Sequence, residues 1–188
     1  MKIRYALALL GTVGVVAGCG GPGEDAASAT SSASATSSAA PAGQSAPSSA
    51  AAVPAQLDFT AKTVGGPEIS GQSLAGKPVV FWFWAPWCPT CQREAPDVAK
   101  VARATPDATF IGVAAQDQEP AMQEFVDKYD LGFTNIADVD GAVWQRFGVT
   151  AQPAFAFVGA DGSVDVVRGT LGEPALSTRV STLVNPDG

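Results

Sequence analysis

Histidine does not occur anywhere in the 188 residues. Its absence excludes every mechanism that needs an imidazole, including the serine and cysteine hydrolase dyads. It also leaves any zinc site without its usual nitrogen ligands. Basic side chains are scarce as well: 11 Lys and Arg stand against 18 Asp and Glu, for a net charge of −7. A nucleic-acid partner calls for a basic face, so this balance argues against one. No apolar run reaches the roughly 20 residues of a membrane-spanning helix. Cysteine is limited to three positions, Cys19, Cys88 and Cys91. A chain of this size that is 46% hydrophobic suits one folded domain with appendages.

The first residues read MKIRYALALLGTVGVVAGC. Lys2 and Arg4 supply a positive start, and Ala6 to Val16 is an apolar run of secretory length. Val16-Ala17-Gly18-Cys19 resembles the bacterial lipobox, which implies cleavage before Cys19 and a diacylglycerol on its sulfur. The alternative is an ordinary signal peptide that happens to hold a cysteine. Cleavage would remove two basic residues and no acid, taking the charge from −7 to −9. Attachment to a membrane would then come from the lipid anchor, since stable anchoring takes two acyl chains or one plus a basic patch. From Gly20 to Val53 the chain is almost entirely Ala, Ser, Thr, Gly and Pro. Such a segment has nothing large to bury and cannot offset its ordering entropy. As a flexible tether it would reach about 30 Å. The expected organisation is a leader at 1–18, a lipid-anchored tether at 19–54 and one folded domain at 55–188.

Within that domain, QLDFTAKTV meets Gly65-Gly66-Pro67 and EIS returns as the second strand of a hairpin. PVVFWFWA, residues 78–85, reads as a central strand buried on both faces. Pro89 suits the first turn of a helix running from CQREAPDVAKVARAT, with a kink expected at Pro96. TFIGVAA is a second buried strand. EPAMQEFVDKYD is an amphipathic helix with Met122, Phe125, Val126 and Tyr129 on one stripe, and DGAVWQRFG is a short helix closed by Gly148. AFAFVGADGSVDVVRG forms a hairpin about Asp161-Gly162, and EPALSTRVSTLV is a closing helix. The expected class is α/β: a central mixed sheet sandwiched by helices, with an N-terminal hairpin extension.

Cys88 and Cys91 stand three apart between the buried strand and the helix. A zinc site would need about four ligands, and without histidine the others would have to be carboxylates. A static disulfide suits an exported protein, yet so small a loop gains little from chain entropy. A redox pair explains more. A cysteine at a helix N-terminus is favoured as thiolate, which makes Cys88 the exchanging sulfur and Cys91, one turn on, the sulfur that resolves a mixed disulfide. Pro89 and Thr90 would tune the thiolate through backbone restriction and donors. The two sulfurs carry this chemistry without a cofactor or a metal.

VVFWFWAPWCPTC resembles the thioredoxin-fold signature, and CQREAP resembles the Cys-x-x-Glu-x-Pro of the extracytoplasmic TlpA/ResA/DsbE-like branch. FGVTAQPAFAFV is similar to the segment of that branch that carries a cis-proline facing the active site. The resemblance runs from about Leu57 to Val184 and is nearest to the DsbE/DsbF-like lipoproteins of mycobacteria and other actinobacteria. It implies that Cys88 is the nucleophile, Cys91 the resolving cysteine and Pro153 the cis-proline. It also implies that the Gln152 backbone pairs with a bound partner, Trp87 shields the disulfide and Glu94 tunes the cysteines. Where thioredoxin keeps a buried aspartate, six residues before the first cysteine, this chain has Trp82.

The fold does not choose the direction of electron flow, because its members span roughly −270 to −120 mV. The expected function is oxidation of thiols in exported proteins at the outer face of the cell membrane, with a membrane thiol oxidase restoring the disulfide. The alternatives are a reductant in cytochrome c maturation, fed by a membrane electron donor, and a non-catalytic binding module. A peroxidase reading is weaker, since no Pro-x-x-x-Thr-x-x-Cys pattern occurs.

Overall fold

The computed structural model describes residues 53–186. The expectations for the leader, Cys19 and nearly all of the tether fall on residues 1–52, outside that range. The elements run in the order β1 (Thr60–Lys62), β2 (Glu68–Ser70), β3 (Val79–Trp84), α1 (Pro89–Ala104), β4 (Thr109–Ala114), α2 (Glu119–Lys128), β5 (Thr134–Ala137), α3 (Ala142–Arg146), β6 (Ala154–Val158), β7 (Val164–Arg168) and α4 (Glu173–Val184). Short 3-10 turns at Ala55–Leu57 and Gly71–Leu74 flank the first two strands.

Alternation along β3 explains the architecture. Side chains of a strand point to opposite faces in turn, and all six residues of Val79–Trp84 are buried. Val80, Trp82 and Trp84 pack with Ala95, Val98 and Ala99 of α1, Met122 and Phe125 of α2, and Leu176 and Val180 of α4. Val79, Phe81 and Phe83 face the other way, onto Val143 and Trp144 of α3, Phe147 and Leu57. A strand covered on both faces must be apolar throughout, as the sequence reads.

The sheet has the order β5-β4-β3-β6-β7. β3, β4 and β5 are parallel, with Phe81 opposite Ile111, and β6 and β7 run antiparallel to their neighbours, with Trp82 opposite Phe155. The turn between β6 and β7 places Gly162 at φ 87°, a region open to glycine. β1 and β2 form the expected hairpin, Ala61 opposite Ile69. The hairpin reaches the main sheet through a bridge from Thr63 to Ile136 and a 2.7 Å bond from the Val64 N–H to the Asn135 carbonyl. Among the described residues no helix is long and apolar enough to cross a membrane.

α1 runs as one helix from Pro89 to Ala104 with Pro96 inside it. One detail departs from expectation. β5 is an additional strand between α2 and α3, so the parallel half of the sheet has three members.

Candidate active site

β3 delivers the chain to its C-terminal edge, and Ala85-Pro86-Trp87 carries it into α1. Cys88 is the N-cap of that helix and Pro89 its first residue. The Cys91 N–H, one of the donors that a helix start leaves unpaired, points to Cys88 Sγ at 3.1 Å. The two sulfurs are joined as a disulfide, with Cα atoms 5.3 Å apart. Cys91 is fully enclosed, whereas Cys88 keeps 5% of its surface open, so Cys88 is the member of the pair that meets solvent. A negative charge on Cys88 would be met by the Cys91 N–H and by the positive end of α1. The Thr90 hydroxyl accepts from Arg93 Nη2 at 3.0 Å, and the Cys91 main chain is the donor seen at Cys88 Sγ.

Glu94 lies on the same helix, three residues after Cys91, and is buried. Its Oε2 accepts from Trp82 Nε1 at 3.0 Å. Its Oε1 accepts from the Thr170 hydroxyl at 2.5 Å and the Leu171 N–H at 2.7 Å. Burial pushes the carboxyl above its ordinary value; the bonds from Thr170, Leu171 and Trp82 oppose that push, and Asp97 adds to it. Trp82, the residue that departs from thioredoxin, thus donates directly to the buried acid three residues after Cys91.

The Gln152–Pro153 peptide is cis. The Pro153 carbonyl accepts from the Gly169 N–H at 2.9 Å. Among the described residues, neither the N–H nor the C=O of Gln152 has a main-chain partner. A backbone edge with both groups open can receive an extended chain.

Trp87 is 52% exposed, which removes it from the core. Its Nε1–H donates to the carbonyl of Gln116 at 3.0 Å. Gln116 follows the buried end of β4 with φ 61°, a left-handed conformation that costs an ordinary residue about 1–2 kcal/mol. Its side-chain amide faces that of Gln152 at 3.5 Å. Gln116 thus touches both Trp87 and Gln152, and no motif announces it.

Asp138 is a second buried carboxylate that the sequence did not single out. It accepts from the N–H groups of Val143 at 3.0 Å and Trp144 at 2.9 Å, at the start of α3. Burial raises its pKa and the two N–H bonds act against that. Asp138-Val139-Asp140-Gly141, an acid ahead of a helical pattern, was the available signal.

The model of the AhpC/TSA family matches residues 52–167. The chain belongs to that family. Within it, the soluble secreted antigen MPT53 of Mycobacterium tuberculosis is 47% identical over 139 residues, 72% of this chain and 80% of the antigen. The solved structure of MTB dsbF, in mixed oxidised and reduced forms, superposes with a TM-score of 0.69 at 60% identity, covering 70% of this chain and 99% of dsbF. A secreted Mycobacterium tuberculosis disulfide oxidoreductase homologous to E. coli DsbE gives a TM-score of 0.66 at 48% identity, over 68% and 98%. The family member described here has the thioredoxin-like fold of these neighbours.

Proposed function

We propose that this thiol–disulfide oxidoreductase works outside the cytoplasm and oxidises thiols of exported proteins. The observation that carries the reading is the Cys88–Cys91 disulfide at the N-terminus of α1, with only Cys88 open to solvent. A client thiolate attacks Cys88 Sγ; a client–Cys88 bond forms, the Cys88–Cys91 bond breaks and Cys91 leaves as thiolate. A second client thiolate then attacks its own disulfide-bonded sulfur, and Cys88 leaves. Two electrons pass from the client to the pair, and a membrane thiol oxidase takes them on. The Cys91 N–H and the helix start make Cys88 a good leaving group, which favours release of an oxidised client. Pro153 and the open Gln152 backbone hold the client chain, and Glu94 tunes the pair.

The secreted relatives support the compartment. The leader at 1–18, lipidation at Cys19, a tether to residue 54 and the folded domain from residue 55 complete the proposal. Lipidation is tested by metabolic labelling with a fatty acid: label on the wild type and none on Cys19→Ser is expected, and equal label on both would refute it.

The direction is tested in growing cells by acid quenching and thiol alkylation. An oxidised pair, together with Cys91→Ser trapping exported proteins as mixed disulfides on Cys88, is expected. A pair found reduced in cells would overturn the oxidising direction, and a Cys91→Ser chain that traps nothing would overturn exchange through Cys88.

A further inference from the structure

Gln116 stands between the two halves of the site. Its carbonyl holds the indole of Trp87, next to Cys88, and its side chain meets Gln152, next to Pro153. It does so in a left-handed conformation at φ 61°. Among the described residues the other non-glycine of positive φ is Asp130, just past the end of α2, where short acids are tolerated. Glutamine gains nothing locally from that conformation. Strain of this kind persists where surrounding contacts impose it, and it gathers at functional sites.

The two contacts differ in kind. The bond from Trp87 is well formed at 3.0 Å. The amide–amide contact is long at 3.5 Å, so it satisfies neither group fully. Each amide keeps donors and an acceptor to offer. They sit beside a Gln152 backbone whose N–H and C=O are both open. Gln116 also walls an open groove of about 360 Å³ with Val139, Trp144, Val149 and Thr150. A chain pairing with the Gln152 edge while its cysteine meets Cys88 therefore passes the Gln116 amide.

We infer that Gln116 is a client-positioning residue: its side-chain amide parts from Gln152 and hydrogen-bonds the backbone of the extended segment flanking the client cysteine. The inference rests on the proposed thiol exchange and names a residue that selects polypeptide clients over small thiols.

The test compares the full chain with Gln116→Gly and Gln116→Asn. Glycine adopts positive φ without strain, so the backbone and its carbonyl stay in place while the amide is lost. Asparagine tolerates the same region and restores a shorter amide. The probes are a reduced, extended peptide carrying two cysteines, and dithiothreitol, each with oxidised glutathione supplied to take the two electrons from the reduced Cys88–Cys91 pair and restore its disulfide, and with the uncatalysed rate subtracted. For Gln116→Gly the expected result is a rise of about 3- to 10-fold in KM for the peptide, the range of one lost neutral hydrogen bond, with kcat retained. The change for dithiothreitol is smaller, and Gln116→Asn recovers part of the peptide KM. An unchanged peptide KM, or an equal loss for both thiols, overturns the assignment. A wild-type chain inert toward both thiols overturns the exchange reading beneath it.

Discussion

Glu94 and Cys91 sit one helical turn apart, where side chains on a helix are neighbours at about 5–6 Å. An ionised carboxylate on the same side of the helix opposes a second negative charge on Cys91, while burial holds the carboxyl above its ordinary range. Replacing it with a neutral isostere removes the opposition. In the reduced protein, Glu94→Gln should lower the Cys91 thiol pKa, seen in the ultraviolet absorbance of the thiolate. An unmoved titration would leave Glu94 as a structural clasp between α1 and the Thr170-Leu171 segment. The substitution has a cost of its own. One amide oxygen covers Thr170 and Leu171, and its NH₂ group then faces the Trp82 donor. An orphaned buried donor costs about 1–3 kcal/mol, so the variant should also melt earlier.

At the scale of the element, the contact between β4 and its neighbours depends on Gly112. A Cβ there would overlap Asn135 Oδ1 and lie 2.9 Å from Trp84 Nε1. Those atoms form a buried 3.2 Å bond that ties β3 to β5 across β4. Gly112→Ala should therefore destabilise the fold by about 2–6 kcal/mol, the sum of overpacking and an unpaired indole N–H. Denaturant unfolding measures it, and a loss below the error of that method would refute the account. The same residues explain why β5 was hidden. Its four residues contain Asn135, a polar side chain that reads as loop until Trp84 and the Phe133 carbonyl are seen to satisfy it. β3 was legible because burial on both faces leaves only apolar residues. Cys88, Cys91 and Pro153 were legible because short motifs spell them. Gln116 was not, since its conformation is tied to Trp87, 29 residues away in sequence. Thr170 meets Glu94 across 76 residues. No local pattern encodes either contact.

For the whole molecule, acidity and burial act in one direction. Glu94 and Asp138 both titrate above their ordinary values of 4.5 and 3.8 in the folded state. The native protein therefore binds more protons than the unfolded chain across the window above those values. Stability from these groups is complete below the unfolded values and is lost as pH rises through the raised ones. Repulsion within a chain of net charge −7 also eases as acids are neutralised. The denaturation midpoint should thus be higher at pH about 5 than at pH about 7. Glu94→Gln should flatten that dependence, and a midpoint that rises with pH would contradict it. The hairpin of β1 and β2 matters at this scale too. With Thr63 bridged to Ile136 and Val64 bonded to Asn135, it lies along β5, and among the described residues β7 is left as the outer rim of the sheet. That rim carries Asp165, paired with Arg179 at 2.6 Å, and Arg168. Charges on a rim discourage another chain from adding itself as a strand. On the proposed function a client chain would be met at Gln152 and Pro153, while the charged flank is guarded against taking on that chain as an extra strand.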